Sequence, residues 1–167
     1  MKAFTLIELM TVIVIILILC TMAMPVYSIV VARMEKITCI QNLKSLYVAS
    51  ESYVQQYGHW PQISAKLSVS SPHEYAADWY KTLQPFGLST KSFICPTVQK
   101  GMGNPDYNKV GSERTDYIAT PFDSQKSTPH KWPTQPWFAE RGDVHGSGNL
   151  LIMTDGSIHQ LSEYKKK

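Results

Sequence analysis

The chain has 167 residues, a net charge of +3 and 17% charged residues, which leaves room for one domain with a modest core plus one extra element. The small positive balance includes Lys165, Lys166 and Lys167 at the tail, and no basic stripe with interleaved aromatics occurs, so a nucleic-acid partner is not expected. No HExxH run, CxxC pair, G-x-S-x-G elbow or phosphate loop is present, so an enzyme is not expected either.

In chain order, the first feature is an apolar run. From Phe4 to Ala32 the only formal charge is Glu8. A helix of about 20 apolar residues spans the roughly 30 Å hydrocarbon core of a bilayer, so this run predicts a single-pass anchor. It is too long for the short apolar core of a secretory signal, and Met1-Lys2 makes a thin basic start. Glu8 has no use in a plain anchor. A carboxylate carried to the bilayer centre costs roughly 2.5–3.5 kcal/mol, and no neighbouring side chain is cationic. Cys20, within the run, reads as a small hydrophobe.

The segment Phe4-Thr5-Leu6-Ile7-Glu8-Leu9-Met10 resembles the N-terminal signature of type IV pilins and type II secretion pseudopilins. The resemblance extends over about the first thirty residues. It implies a leader of residues 1–3, a cut between Ala3 and Phe4 by a prepilin peptidase, and methylation of the new Phe4 amine. Ala3 stands where the family usually has Gly. The resemblance also implies that Glu8 pairs with the terminal amine of a neighbouring subunit, so that a buried acid becomes an assembly device. Pro25 interrupts the backbone donors of the run and is expected to kink or loosen the helix. It stands where the resembling families place a proline.

Beyond Ala32, Ile40, Leu43, Tyr47, Ser50, Val54 and Tyr57 recur at three- and four-residue steps, a helical stripe that ends at the stop signals Gly58 and Pro61. The predicted organisation is therefore a leader (1–3), an apolar assembly helix (4–32), its amphipathic continuation (33–57) and a loop-rich head (58–167). Every proline but Pro25 lies in that head. A short helix is predicted over Glu74 to Leu83, strands over Ser92 to Cys95 and Asp116 to Thr120, and loop from Thr120 to Glu140. Trp132, Trp137 and Phe138 in that loop are read as a lid on a small core. Asp155-Gly156 between two apolar runs predicts a hairpin with a type I′ turn. The expected fold class is α+β: a long N-terminal helix packed on a small antiparallel sheet.

Cys39 and Cys95 both fall in the part that would be exported, where two thiols are compatible with a disulfide. The head also resembles a pseudopilin-like group in three places: Cys39-Ile40-Gln41-Asn42-Leu43-Lys44, Phe93-Ile94-Cys95-Pro96-Thr97, and His145 followed at ten residues by Asp155-Gly156. That resemblance implies a Cys39–Cys95 pair and assigns no activity to His145, Asp155 or Gly156. Major pseudopilins have a C-terminal loop that holds Ca²⁺. Asp123, Glu140 and Asp143 are the candidate oxygen ligands here, in no defined motif, and no metal or other cofactor is expected.

The family likeness implies the following partners: further copies of the chain, other pilin-like subunits, the peptidase, and an assembly platform in the bacterial inner membrane. The N-terminus would be cytoplasmic and the head periplasmic, then part of an extracytoplasmic filament. The competing expectation is a monomeric single-pass protein whose exported domain binds a ligand or partner.

Overall fold

The computed structural model describes residues 5–103, 113–125, 128–146 and 148–164, with the backbone alone described at 23–25 and 164. It divides into two compact units, Met1–Met34 and Glu35–Lys167. The long helix α1 (Leu6–Tyr57) contributes to both.

In the first unit α1 is mostly apolar, and none of its described side chains is buried. Leu6, Ile13, Leu17, Met22 and Ile29 are all exposed. The helix contains a stretch long and apolar enough to cross a membrane. This fits membrane anchoring. The helical backbone runs through Pro25 without a break, although a loosening was expected there.

In the second unit the same helix turns amphipathic. Cys39, Leu43, Leu46, Ala49, Ser50 and Val54 are buried, with Ile40, Tyr47 and Tyr53 packed at the margin. The predicted stripe is thus present, except that Tyr57 is exposed. Helix α2 (Leu67–Ser70) and helix α3 (Pro72–Leu83) follow. Helix α3 starts two residues earlier than predicted, because Pro72 at its first position has no amide to lose there. It buries Tyr75, Ala76, Trp79 and Leu83.

The segment predicted as a strand at Ser92 to Cys95 is instead a 3₁₀ turn, Thr90–Phe93, leading into extended Ile94 and Cys95. The Ile94 amide bonds back to the Lys91 carbonyl, so it has no free ladder edge to offer. Helix α4 (Pro96–Gly101) comes next.

Four antiparallel strands then form a meander in the order β1-β2-β3-β4: Tyr117–Ala119, Pro136–Glu140, Leu150–Met153 and Ile158–Gln160. A short helix α5 (Leu161–Tyr164) ends the described chain. The fold is the expected α+β arrangement, a long helix with a small antiparallel sheet. One correction concerns β2, which lies inside the stretch predicted as loop. Pro136 is its first residue, where a strand tolerates the missing donor. The register slips between Pro136 and Phe138, and such an irregularity turns consecutive side chains toward one side. Trp137 and Phe138 are accordingly both buried, in the core itself and not in a lid over it. Trp132 alone of the three is exposed. Trp60 is the hub of this core, with ring centroids 5.0 Å from Trp137, 5.8 Å from Phe138 and 5.9 Å from Trp79.

The predicted hairpin is present as β3 and β4, with a different turn. The Gly156 amide bonds to the Met153 carbonyl at 3.0 Å, and the Met153 amide to the Ser157 carbonyl at 2.9 Å. Thr154, Asp155 and Gly156 therefore make a three-residue loop with Gly156 in the left-handed region (φ 75°). That is a type I turn closed by a glycine bulge, not the two-residue type I′ turn. Its position is set from α1, since the Tyr47 hydroxyl donates to the Thr154 carbonyl at 2.9 Å.

Candidate functional site

Two places carry chemistry. The first is the opening turn of α1. Thr5 donates both its amide (2.9 Å) and its hydroxyl (2.7 Å) to Glu8 Oε2, and the Glu8 amide donates back to Thr5 Oγ1 at 3.3 Å. This is a reciprocal capping box, T-x-x-E, which satisfies donors that a helix start would leave open. Glu8 therefore already has partners within its own chain. The T-x-x-E spacing of Thr5 and Glu8 is the sequence signal for this cap. Ala3 and Phe4, the residues expected to flank the cut, lie outside the described residues.

The second place is inside the head. Cys39 on α1, Cys95 just before α4, Glu140 at the end of β2 and His145 in the β2–β3 loop each offer one ligand atom, and these four atoms lie within 4.8 Å of one another. Cys39, Cys95 and Glu140 are buried, and the His145 side chain is 5% exposed. Both cysteines are free thiols here. The structure thus brings together Cys39, Cys95 and His145 with Glu140, which the sequence offers only as a candidate calcium ligand. It does not bring in Asp155 and Gly156, which belong to the β3–β4 turn.

Each member is held from outside. The Cys95 amide donates to Asp116 Oδ2 at 2.8 Å. The Leu150 amide donates to Glu140 Oε2 at 3.1 Å, and Asn149 Nδ2 to the Glu140 carbonyl at 2.8 Å. Tyr117 is buried at the Cys39 sulfur, and its oxygen also accepts from Asn42 Nδ2 at 3.3 Å. Glu140 Oε1 is different. His145 Nε2 lies 3.3 Å away, yet no donor is aligned on that oxygen. The same nitrogen lies 3.8 Å from Cys95 Sγ.

The electrostatics follow from this crowding. The hydrogen bond from Cys39 lowers the Cys95 thiol to about 6, helped by the amides of Val98 and Thr97 and opposed by burial. Cys39 is pushed up, first because it keeps its proton for Cys95 and then by burial. Burial raises Glu140 above the usual carboxylate range, against the Leu150 amide and the nearby His145.

The oxygen ligands considered for calcium do not gather in this way. Asp123 Oδ1 accepts from the Gln125 amide in its own turn (3.1 Å), Asp143 is exposed, and Glu140 faces two thiols. Calcium is a hard cation that takes oxygen ligands, so the donor set that does assemble is not suited to it.

The comparisons with known proteins bear on the first of the two places. No curated protein and no solved structure matches the chain. Residues 1–24 match the family model of the prokaryotic N-terminal methylation motif, which marks this N-terminus as prepilin-type and supports a pilin-like protein.

Proposed function

We propose that the chain is a structural subunit, pilin or pseudopilin, of a bacterial type IV pilus-like or type II secretion filament. It is cut before Phe4, methylated there, and polymerised through the apolar half of α1. The observation that carries this reading is the coincidence of the methylation motif with a helix whose described apolar side chains up to Met34 are nearly all exposed. An all-round apolar helix needs either lipid or other helices. A filament core of neighbouring subunits supplies the second when the first is left behind.

Glu8 fits both stages. In the single chain Thr5 occupies Oε2, which lowers the cost of carrying the acid in an apolar segment. In the polymer the freed amine of an adjacent Phe4 would supply a cation for Glu8, which among the described residues is bonded to Thr5. The role is structural, not catalytic, and the head would face the periplasm and then the outside.

Mass spectrometry of the N-terminal peptide tests the processing step. The expected product begins with methylated Phe4; an intact Met1 in membranes that contain the peptidase, or a cut after Ala23, would overturn it. For assembly, Glu8→Ala should abolish filaments while leaving the head folded. Normal filaments from that variant would remove the carboxylate from the joint and favour the monomeric anchored reading.

A further inference from the structure

Three stretches far apart in sequence send four donors to the same buried point: α1 through Cys39, the turn before α4 through Cys95, and β2 with its following loop through Glu140 and His145. A disulfide would use only two of these groups. It would leave Glu140 and His145 facing only each other, 3.3 Å from Nε2 to Oε1, with both side chains almost fully buried. Burying a carboxylate in that condition is costly, so the carboxylate and the imidazole ask for a common partner.

The spacing is compatible with a metal ion as that partner. A tetrahedral zinc centre with Zn–N and Zn–O near 2.0–2.2 Å and Zn–S near 2.3 Å has N···O edges of about 3.3 Å and N···S edges of about 3.6 Å. The corresponding distances here are 3.3 Å for His145 Nε2 to Glu140 Oε1 and 3.8 Å for His145 Nε2 to Cys95 Sγ. The nitrogen is close to both atoms yet not aligned on Oε1, as expected when neighbouring ligands converge on a centre between them.

We propose that Cys39, Cys95, Glu140 and His145 form a closed, four-coordinate structural site for Zn²⁺. Two sulfurs and an imidazole select a borderline-soft cation over calcium or magnesium. With four protein ligands no coordination position is left for a substrate, so the site staples and does not catalyse. On binding, each thiol gives its proton to solvent, His145 binds as the neutral imidazole through Nε2, and Glu140 binds through Oε1 while Leu150 keeps Oε2. Three negative ligands against one dication leave a net charge of −1. The outer contacts from Asp116, Asn149 and Leu150 orient the ligands, the arrangement metal sites use to fix their geometry. The result ties the amphipathic half of α1 to the sheet and to two loops of the head at one point.

The test uses the full chain purified in detergent, with a non-chelating reductant. Elemental analysis should find one zinc per chain. After zinc removal, titration with Co²⁺ should give the visible bands of tetrahedral cobalt together with a sulfur-to-cobalt charge-transfer band. His145→Ala should weaken Co²⁺ binding by more than about 100-fold, beyond the loss typical of an outer-shell contact. Glu140→Gln keeps an oxygen for the Leu150 amide and is the variant chosen to stay folded; it should lose Co²⁺ affinity in the same direction. Cys20→Ser should change nothing. A wild-type chain without zinc and without a tetrahedral cobalt spectrum would overturn the proposal whatever the variants do. So would a chain recovered from its native compartment with the Cys39 and Cys95 peptides covalently linked.

Discussion

The two halves of α1 obey the same helical geometry and meet opposite fates. In the half up to Met34, Leu17 is 59% exposed, and its neighbours on all sides are equally bare. In the half from Glu35, Leu43 and Leu46 are fully buried against the rest of the head. The difference is one of pattern, not composition alone. Apolar residues all round a helix leave no polar face to point at water, whereas the recurring polar positions Gln41, Lys44, Glu51 and Gln55 give the second half a side that tolerates exposure. One half finds its partners inside the head. The described side chains of the other are nearly all exposed, which fits membrane anchoring.

The contrast is broken most directly by paired truncations. Leu43→Ala should destabilise the head by about 2–5 kcal/mol, the range for emptying a leucine site in a packed core. Leu17→Ala should leave head stability within about 0.5 kcal/mol, because its side chain is exposed. All four tryptophans (Trp60, Trp79, Trp132 and Trp137) belong to the head, so thermal unfolding followed by tryptophan fluorescence reads that region alone. A head destabilised equally by both substitutions would erase the distinction between the halves.

A second substitution sharpens the way α1 sets the sheet. A Cβ at Gly156 would lie 3.2 Å from Tyr47 Cε1, at a φ of +75°. Left-handed backbone costs a non-glycine residue roughly 1–2 kcal/mol, and the tight contact with Tyr47 adds to it. Gly156→Ala should therefore lower head stability by at least about 1 kcal/mol. Gly142→Ala, with nothing within 4 Å and no positive φ, should be neutral by the same assay. Equal effects at the two positions would show that the Tyr47–turn contact does not hold the hairpin.

Legibility in the sequence followed the range of the interactions. The amphipathic stripe and the β3–β4 hairpin were readable because each depends on residues within a turn or two of one another. Strand β2 was not, since its identity comes from pairing with β1 and β3, while its local composition, Pro133 to Pro136, reads as loop. The 3₁₀ turn at Thr90–Phe93 was mistaken for a strand because short apolar runs have no distinguishing period. The buried cluster was half legible. Cys39, Cys95 and His145 stand out by type and by resemblance, while Glu140 reads as a candidate oxygen ligand for calcium, and its place beside the thiols comes only through the fold. The Thr5–Glu8 cap lay in plain view as a T-x-x-E box.

That cap has a counterpart in the head, and the pair offers the finest comparison between the regions. Asp155 Oδ1 accepts from the Ser157 amide at 2.8 Å, as Glu8 Oε2 accepts from Thr5. Both are exposed carboxylates served by a hydroxyl residue two or three positions away. At Asp155 the Ser157 side chain, then its amide, hold the carboxyl below its ordinary value of 3.8, with a smaller contribution from His159. A depressed folded value means a stability contribution that is fully present above pH 3.8 and is lost as pH falls through the lowered value. Asp155 is exposed, so solvent screening keeps the effect small. Asp155→Asn should lower the thermal midpoint of the head slightly above that pH, and the gap to the parent chain should close as the solution is acidified. A gap that stayed constant with pH would mean that the turn needs only an oxygen acceptor at residue 155 and not its charge. Glu8, which sits in the region without a core, has no bearing on this midpoint, and Glu8→Gln should leave the same acid profile unchanged.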